Sequence, residues 1–165
     1  MTAQAAVVRH PGAPSPAVRG VYAEVHAGRA LAVTGANGSG KSTLALALAG
    51  LLRPERGAVV AGVNLADGLG RDPARWSGPK LVRRVGTVFQ DPEHQFLTGS
   101  VREELRLGPL RAGDGHRIAD QRADDLLDRL RLRHVVGANP FTLSGGEQRR
   151  LSMEPPWRRA PLFSC

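Results

Sequence analysis

The residues with the clearest chemical capacity lie between Gly35 and Thr43, which read GANGSGKST. They satisfy the phosphate-loop spacing G-x-x-x-x-G-K-[ST] through Gly35, Gly40, Lys41 and Ser42. Gly35, Gly38 and Gly40 permit a tight turn that brings bare N–H groups close to an anion. A helix starting behind that turn contributes roughly half a positive charge. Lys41 adds a full charge able to reach outer phosphates, and Ser42 offers a hydroxyl to Mg²⁺. A second stretch, Leu143 to Arg150, reads LSGGEQRR. There Ser144, Gly145 and Gly146 place a hydroxyl and bare N–H groups at another helix start. Alone, such a Ser-Gly-Gly is usually only a helix cap.

These residues need elements to hold them. Arg29 to Thr34 is short, apolar and strand-like, and Leu44 to Leu52 is rich in helix formers. Strand, glycine loop, helix is the context the first motif requires. Ala5–Val8, Val18–Val25 and Ala58–Val63 read as further strands, separated by turn-rich segments. Gly68 to Pro79 reads as loop. Val82 to Gln90 contains the buried-strand pattern Val85–Phe89 and ends in polar Gln90. Thr98–Ser100 caps a short helix over Val101–Leu107, with Glu103 near its start. His116 to Leu132 is amphipathic, with Ala123, Leu126, Leu127 and Leu130 on one face.

At 165 residues the chain is one domain or a piece of one, and 41% hydrophobic content suffices for a core. The net charge of +8 raises nucleic acid as a partner. The arginines are scattered and aromatics are only 4%, so we read a solvated basic surface and no nucleic acid. Cys165 is the only cysteine, which excludes an internal disulfide and agrees with a reducing cytoplasm. Met1 to His10 lacks a signal-peptide pattern, and the apolar run Leu44–Leu52 is too short to span a bilayer. Any membrane role must come through a partner. His94 and His116 lack ligand partners at useful spacing. Glu103-Glu104 reads as a solvated helix start rather than an acid–base pair.

Three stretches in order, GANGSGKST, VFQDPEHQF (Val88 to Phe96) and LSGGEQRR, resemble the nucleotide-binding domain of ABC transporters. FQDPEHQFLTGSVREEL, Phe89 to Leu105, is similar to energy-coupling-factor and cobalt-type importer ATPases. The resemblance covers about Val7 to Met153. It implies an α/β fold: a P-loop NTPase core, mostly parallel sheet with an N-terminal antiparallel part, plus an inserted helical part at about 91–150. It implies ATP and Mg²⁺ as ligands, with Gly35, Asn37, Gly38, Ser39, Gly40, Lys41, Ser42 and Thr43 around the nucleotide. Gln90 would contact Mg²⁺ or the attacking water and face a membrane permease. His10 sits where the family often has an aromatic that stacks on adenine. Two domains would pair head to tail, so that Ser144, Gly145 and Gly146 of one close over the γ-phosphate held by the other. The protein would be cytoplasmic and peripheral to the membrane, driving import of a vitamin or metal ion.

After Met153 the resemblance stops. The family continues into an apolar strand ending in Asp-Glu, whereas residues 151–165 read as an off-family tail with Pro155 and Pro156. One permitted codon set, read in another frame, gives Ala-Thr-Leu-Ala-Thr-Gly-Ala-Pro-Leu-Leu-Val, so we expect a frameshift after Met153. The fold would then be incomplete at the C-terminus, with negligible turnover for want of a base at the γ-phosphate. Two alternatives stand beside the importer subunit: an inactive fragment acting as a binding module, and a soluble ABC protein of repair or translation.

Overall fold

A computed structural model describes residues 1–89 and 91–153, and the backbone of 162–164. Three strands form an antiparallel sheet in the order β2-β1-β3: β1 is Thr2–Val8, β2 Val18–Glu24 and β3 Arg56–Val60. β1 sends Ala3, Ala6 and Val8 into the core. Its register slips on both sides around Ala5, which stands at φ 47°. The bulge presses its backbone onto β3. A Cβ on Gly57 would fall 2.2 Å from the Ala5 carbonyl oxygen, so only glycine fits there.

The helix α1, Lys41–Leu48, packs Leu44, Ala47 and Leu48 against this sheet, beside Val59 and Val85. Two short helices follow, α2 (Val63–Ala66) and α3 (Gly78–Val82), with a 3-10 turn at Pro73–Arg75 between them. The segment expected as loop over 68–79 therefore holds a capped turn, in which Asp72 accepts the Ala74 amide. α3 ends at Val82, ahead of the strand expected over Val85–Phe89. That strand shrinks to β4, Gly86–Val88.

The second half is helical. α4 (Val101–Arg111) and α5 (His116–Arg129) lie against each other, and α6 (Gly145–Ser152) closes the group. Val101, Leu105, Ala123, Leu127, Leu132, Leu143 and Leu151 make a separate apolar core, with Phe96 from the preceding turn. Ala123 and Leu127 are fully buried, and Leu126 and Leu130 flank them, as the helical periodicity requires. Ser100 caps α4 by accepting the Glu103 amide. Glu104, rather than Glu103, reaches back and accepts the amides of Leu97 and Thr98. The Arg83 guanidinium ties the two halves by donating to the Ala112 carbonyl at 2.7 Å.

Two expectations need correction. The stretch 29–34, read as the strand entering the phosphate loop, belongs to neither sheet and is exposed along its length. A short apolar run forms a strand only beside another strand, and among the described residues none pairs with it. The parallel pairing among the described residues is a separate two-stranded sheet, β4 with β5, Leu162–Ser164. The tail thus contributes a strand that its sequence did not announce.

Candidate functional site

The phosphate-loop glycines take the conformations their motif requires. Gly40 caps α1 in the left-handed region, at φ 90°. A Cβ there would sit 2.4 Å from the Ala17 carbonyl oxygen, at the entry to β2. The loop is thereby wedged against the sheet at a point where no other residue fits. Gly35 and Gly38 also have positive φ, and the Ser39 amide closes the turn onto the Ala36 carbonyl at 3.2 Å. No side chain caps α1, and no acidic residue stands in its first turn. Its dipole therefore faces the glycine turn with no carboxylate in the first helical turn to compete.

Lys41 turns back over this loop. Its Nζ donates to the carbonyls of Ala36 at 2.8 Å and Gly35 at 3.1 Å. The ammonium is held at the loop mouth by acceptors that a phosphate oxygen can replace or join. Asn37, Ser39 and Ser42 are exposed on the same turn. A groove of about 360 Å³ opens beside it, lined by Val18, Arg19, Val33, Ser39, Lys41 and Leu44, among others. His10, on the loop after β1, is brought to the same place: its Nε2 shares a 2.9 Å hydrogen bond with the buried Thr43 hydroxyl. The fold therefore gathers His10 and Gly35–Thr43 into one locus. Gln90 lies outside the described residues.

The second glycine turn is exposed at Ser144, Gly145 and Gly146. Ser144 and Glu147 form a capping box at the start of α6. The Ser144 hydroxyl and amide both donate to Glu147 Oε2, at 2.6 and 2.9 Å. His134 Nε2 donates to the other carboxylate oxygen at 2.9 Å. The Ser144 hydroxyl, the Ser144 amide and then His134 hold the Glu147 carboxyl down at about 2. One turn further on, buried Gln148 donates to the Pro140 carbonyl at 3.2 Å and to Glu93 at 3.4 Å. α6 is thus joined to the 3-10 turn Pro92–Gln95 that follows Gln90. The spacing Ser144-x-x-Glu147 signals the capping box in the sequence, but nothing there announces His134.

The sequence profile of the family described as "ABC transporter" matches residues 18–155, which include both turns. The chain belongs to the ABC transporter family. It is 39% identical over 137 residues to a putative ABC transporter ATP-binding protein of Geobacter sulfurreducens, covering 83% of this chain and 52% of that one. It is 35% identical over 139 residues to the energy-coupling factor transporter ATP-binding protein EcfA of Methanothermobacter thermautotrophicus, covering 84% and 43%. The chain spans about half the length of these ABC relatives. Among solved structures, CbiO1 of Clostridium perfringens, described as part of the ABC transporter complex cbiONQ, matches with a TM-score of 0.69. That match has 24% identity and covers 94% of this chain and 59% of that one. A dimeric ABC cassette, MJ0796, bound to ADP and phosphate, matches at 0.77 with 19% identity, covering 99% and 72%. At these identities the structural matches establish the ABC fold alone. Among the described residues no helix is long and apolar enough to cross a membrane.

Proposed function

We propose that the chain is the ATP-binding part of an ABC importer subunit of the energy-coupling-factor type. One observation carries the reading: a left-handed glycine cap with Lys41 folded over it opens α1, and no acid stands in that helix's first turn. Such a turn fits a polyphosphate. Gly35–Thr43 would bind it through backbone amides, Lys41 would hold its outer charge, and Ser42, with Gln90, would face Mg²⁺. Mg²⁺, when bound, neutralises charge on the phosphate oxygens. His10, moored to Thr43, would border the base. Ser144, Gly145 and Gly146 would meet the nucleotide of a second ABC domain. The Pro92–Gln95 turn would follow the membrane permease through Gln90. In this reading 1–150 is the ABC unit, with its helical part at about 91–150, and 151–165 departs from the family pattern. The cargo would be a vitamin or metal ion, by family-level analogy alone.

Calorimetric titration with Mg-ATP tests this directly. Binding that weakens about tenfold or more in Lys41→Ala is expected, since a charge-assisted contact is lost. Equal heats from both proteins would refute it. The second reading, a binding module without catalysis, is favoured by the exposed stretch 29–34, which leaves the entry to the loop without a sheet neighbour among the described residues. Steady phosphate release abolished by Lys41→Ala would exclude that module and the expectation of negligible turnover together.

A further inference from the structure

The second glycine turn is held by groups at its own helix start and on a neighbouring turn. Its helix start carries a carboxylate, Glu147, at the place where an incoming triphosphate must dock. A negative charge there opposes binding. Both oxygens of that carboxylate are engaged: Oε2 by the Ser144 hydroxyl and amide, Oε1 by His134. The Glu147 side chain is only 17% exposed, whereas His134, on the 3-10 turn Arg133–Val135, is 63% exposed and open to solvent protons. Arg133 pairs with Asp124 and Asp128 of α5. Arg150 donates its Nε to the Leu130 carbonyl and brings Nη1 to 3.6 Å from where a Cβ on Gly146 would stand, so it faces the turn rather than the carboxylate. Among the described residues His134 is the basic side chain bonded to the Glu147 carboxylate itself.

We propose that His134 is a positioning residue for Ser144: through Glu147 it orients the serine hydroxyl and amide, and its protonated ring neutralises the carboxylate that an approaching phosphate would meet. This rests on the reading of Ser144–Gly146 as a phosphate contact given above. A protonated imidazole at this place would remove that opposition, and a neutral one would not. Acceptance of the partner's nucleotide should therefore strengthen as pH falls from 8.5 to 6.

Two measurements on the full chain decide it. The first needs no nucleotide. The Ser144 amide resonance should move through the same pH range as the His134 ring, and this movement should vanish in His134→Gln. The second is Mg-ATP-dependent pairing, followed by sedimentation at pH 6 and 8.5. His134→Gln, which keeps a donor without charge, should pair roughly fivefold more weakly than wild type at pH 6 and equally at pH 8.5. His134→Lys should remove the loss at pH 8.5, and Glu147→Gln should make pairing insensitive to pH. A Ser144 amide that ignores the His134 titration overturns the proposal, as does equal pairing of wild type and His134→Gln at both pH values. Wild type that never pairs with Mg-ATP refutes the phosphate reading of the turn, and the amide titration then decides the His134–Glu147–Ser144 linkage alone.

Discussion

Gly40→Ala should be far more damaging than its one added methyl suggests. The position stands at φ 90°, where an alanine costs about 1–2 kcal/mol relative to glycine. The new Cβ would also sit 2.4 Å from the Ala17 carbonyl oxygen and 3.1 Å from its carbon. That atom is backbone at the entry to β2, so it cannot swing aside as a flexible side chain would. Forcing it away adds about 1–3 kcal/mol of overpacking strain. Gly38→Ala is the matched control: its φ is 77°, but nothing lies within 4 Å of the added carbon. It incurs only the first cost. The two variants should be compared by thermal melting and by Mg-ATP calorimetry. At this chain length Gly40→Ala should lower the melting midpoint by roughly 6–12 °C and Gly38→Ala by less than half of that. The Gly40→Ala variant should also lose most nucleotide affinity, because the strain falls on the turn that presents the amides. If the two alanines prove equally harmful, the wedge between Gly40 and Ala17 does not exist and the loop is held in some other way.

Leu127→Ala, in the fully buried face of α5, should cost about 3 kcal/mol. Hydrogen exchange should show the loss in α4, α5 and α6 while protection of β1–β3 persists, since the two apolar cores are distinct. Glu104→Gln removes the charge that accepts the Leu97 and Thr98 amides, each at 2.9 Å. Those amides should exchange several-fold faster at a cost of about 1 kcal/mol, and unchanged exchange would contradict the assignment. Glu147 gives a pH signature. Its folded carboxyl titrates near 2, below the ordinary glutamate range, so what it contributes is complete above that range and is lost as pH falls towards about 2. Protection of the first turn of α6 should fall in that window in wild type and stay flat in Glu147→Gln.

The parts of the fold that sequence conveyed are those decided locally. The phosphate loop follows from glycines at fixed spacing, because positive φ at Gly35, Gly38 and Gly40 is a property of those residues themselves. The buried face of α5 follows from a period of 3.6. What escaped depends on neighbours distant in the chain. Ala30 to Val33 carries a strand's composition yet lies outside both sheets, since a strand exists only through its partner. The parallel pairing of β5 with β4 joins residues about 76 positions apart, and no local pattern near Leu162 marks it. The same division runs through the site. The places of Lys41 and Ser144 at helix starts were legible because their motifs are contiguous. The Thr43 contact of His10 and the Glu147 contact of His134 come from separate elements meeting in space. The conformation of each glycine turn is thus written in its own few residues, while the histidine that meets each turn is set by the packing of separate elements.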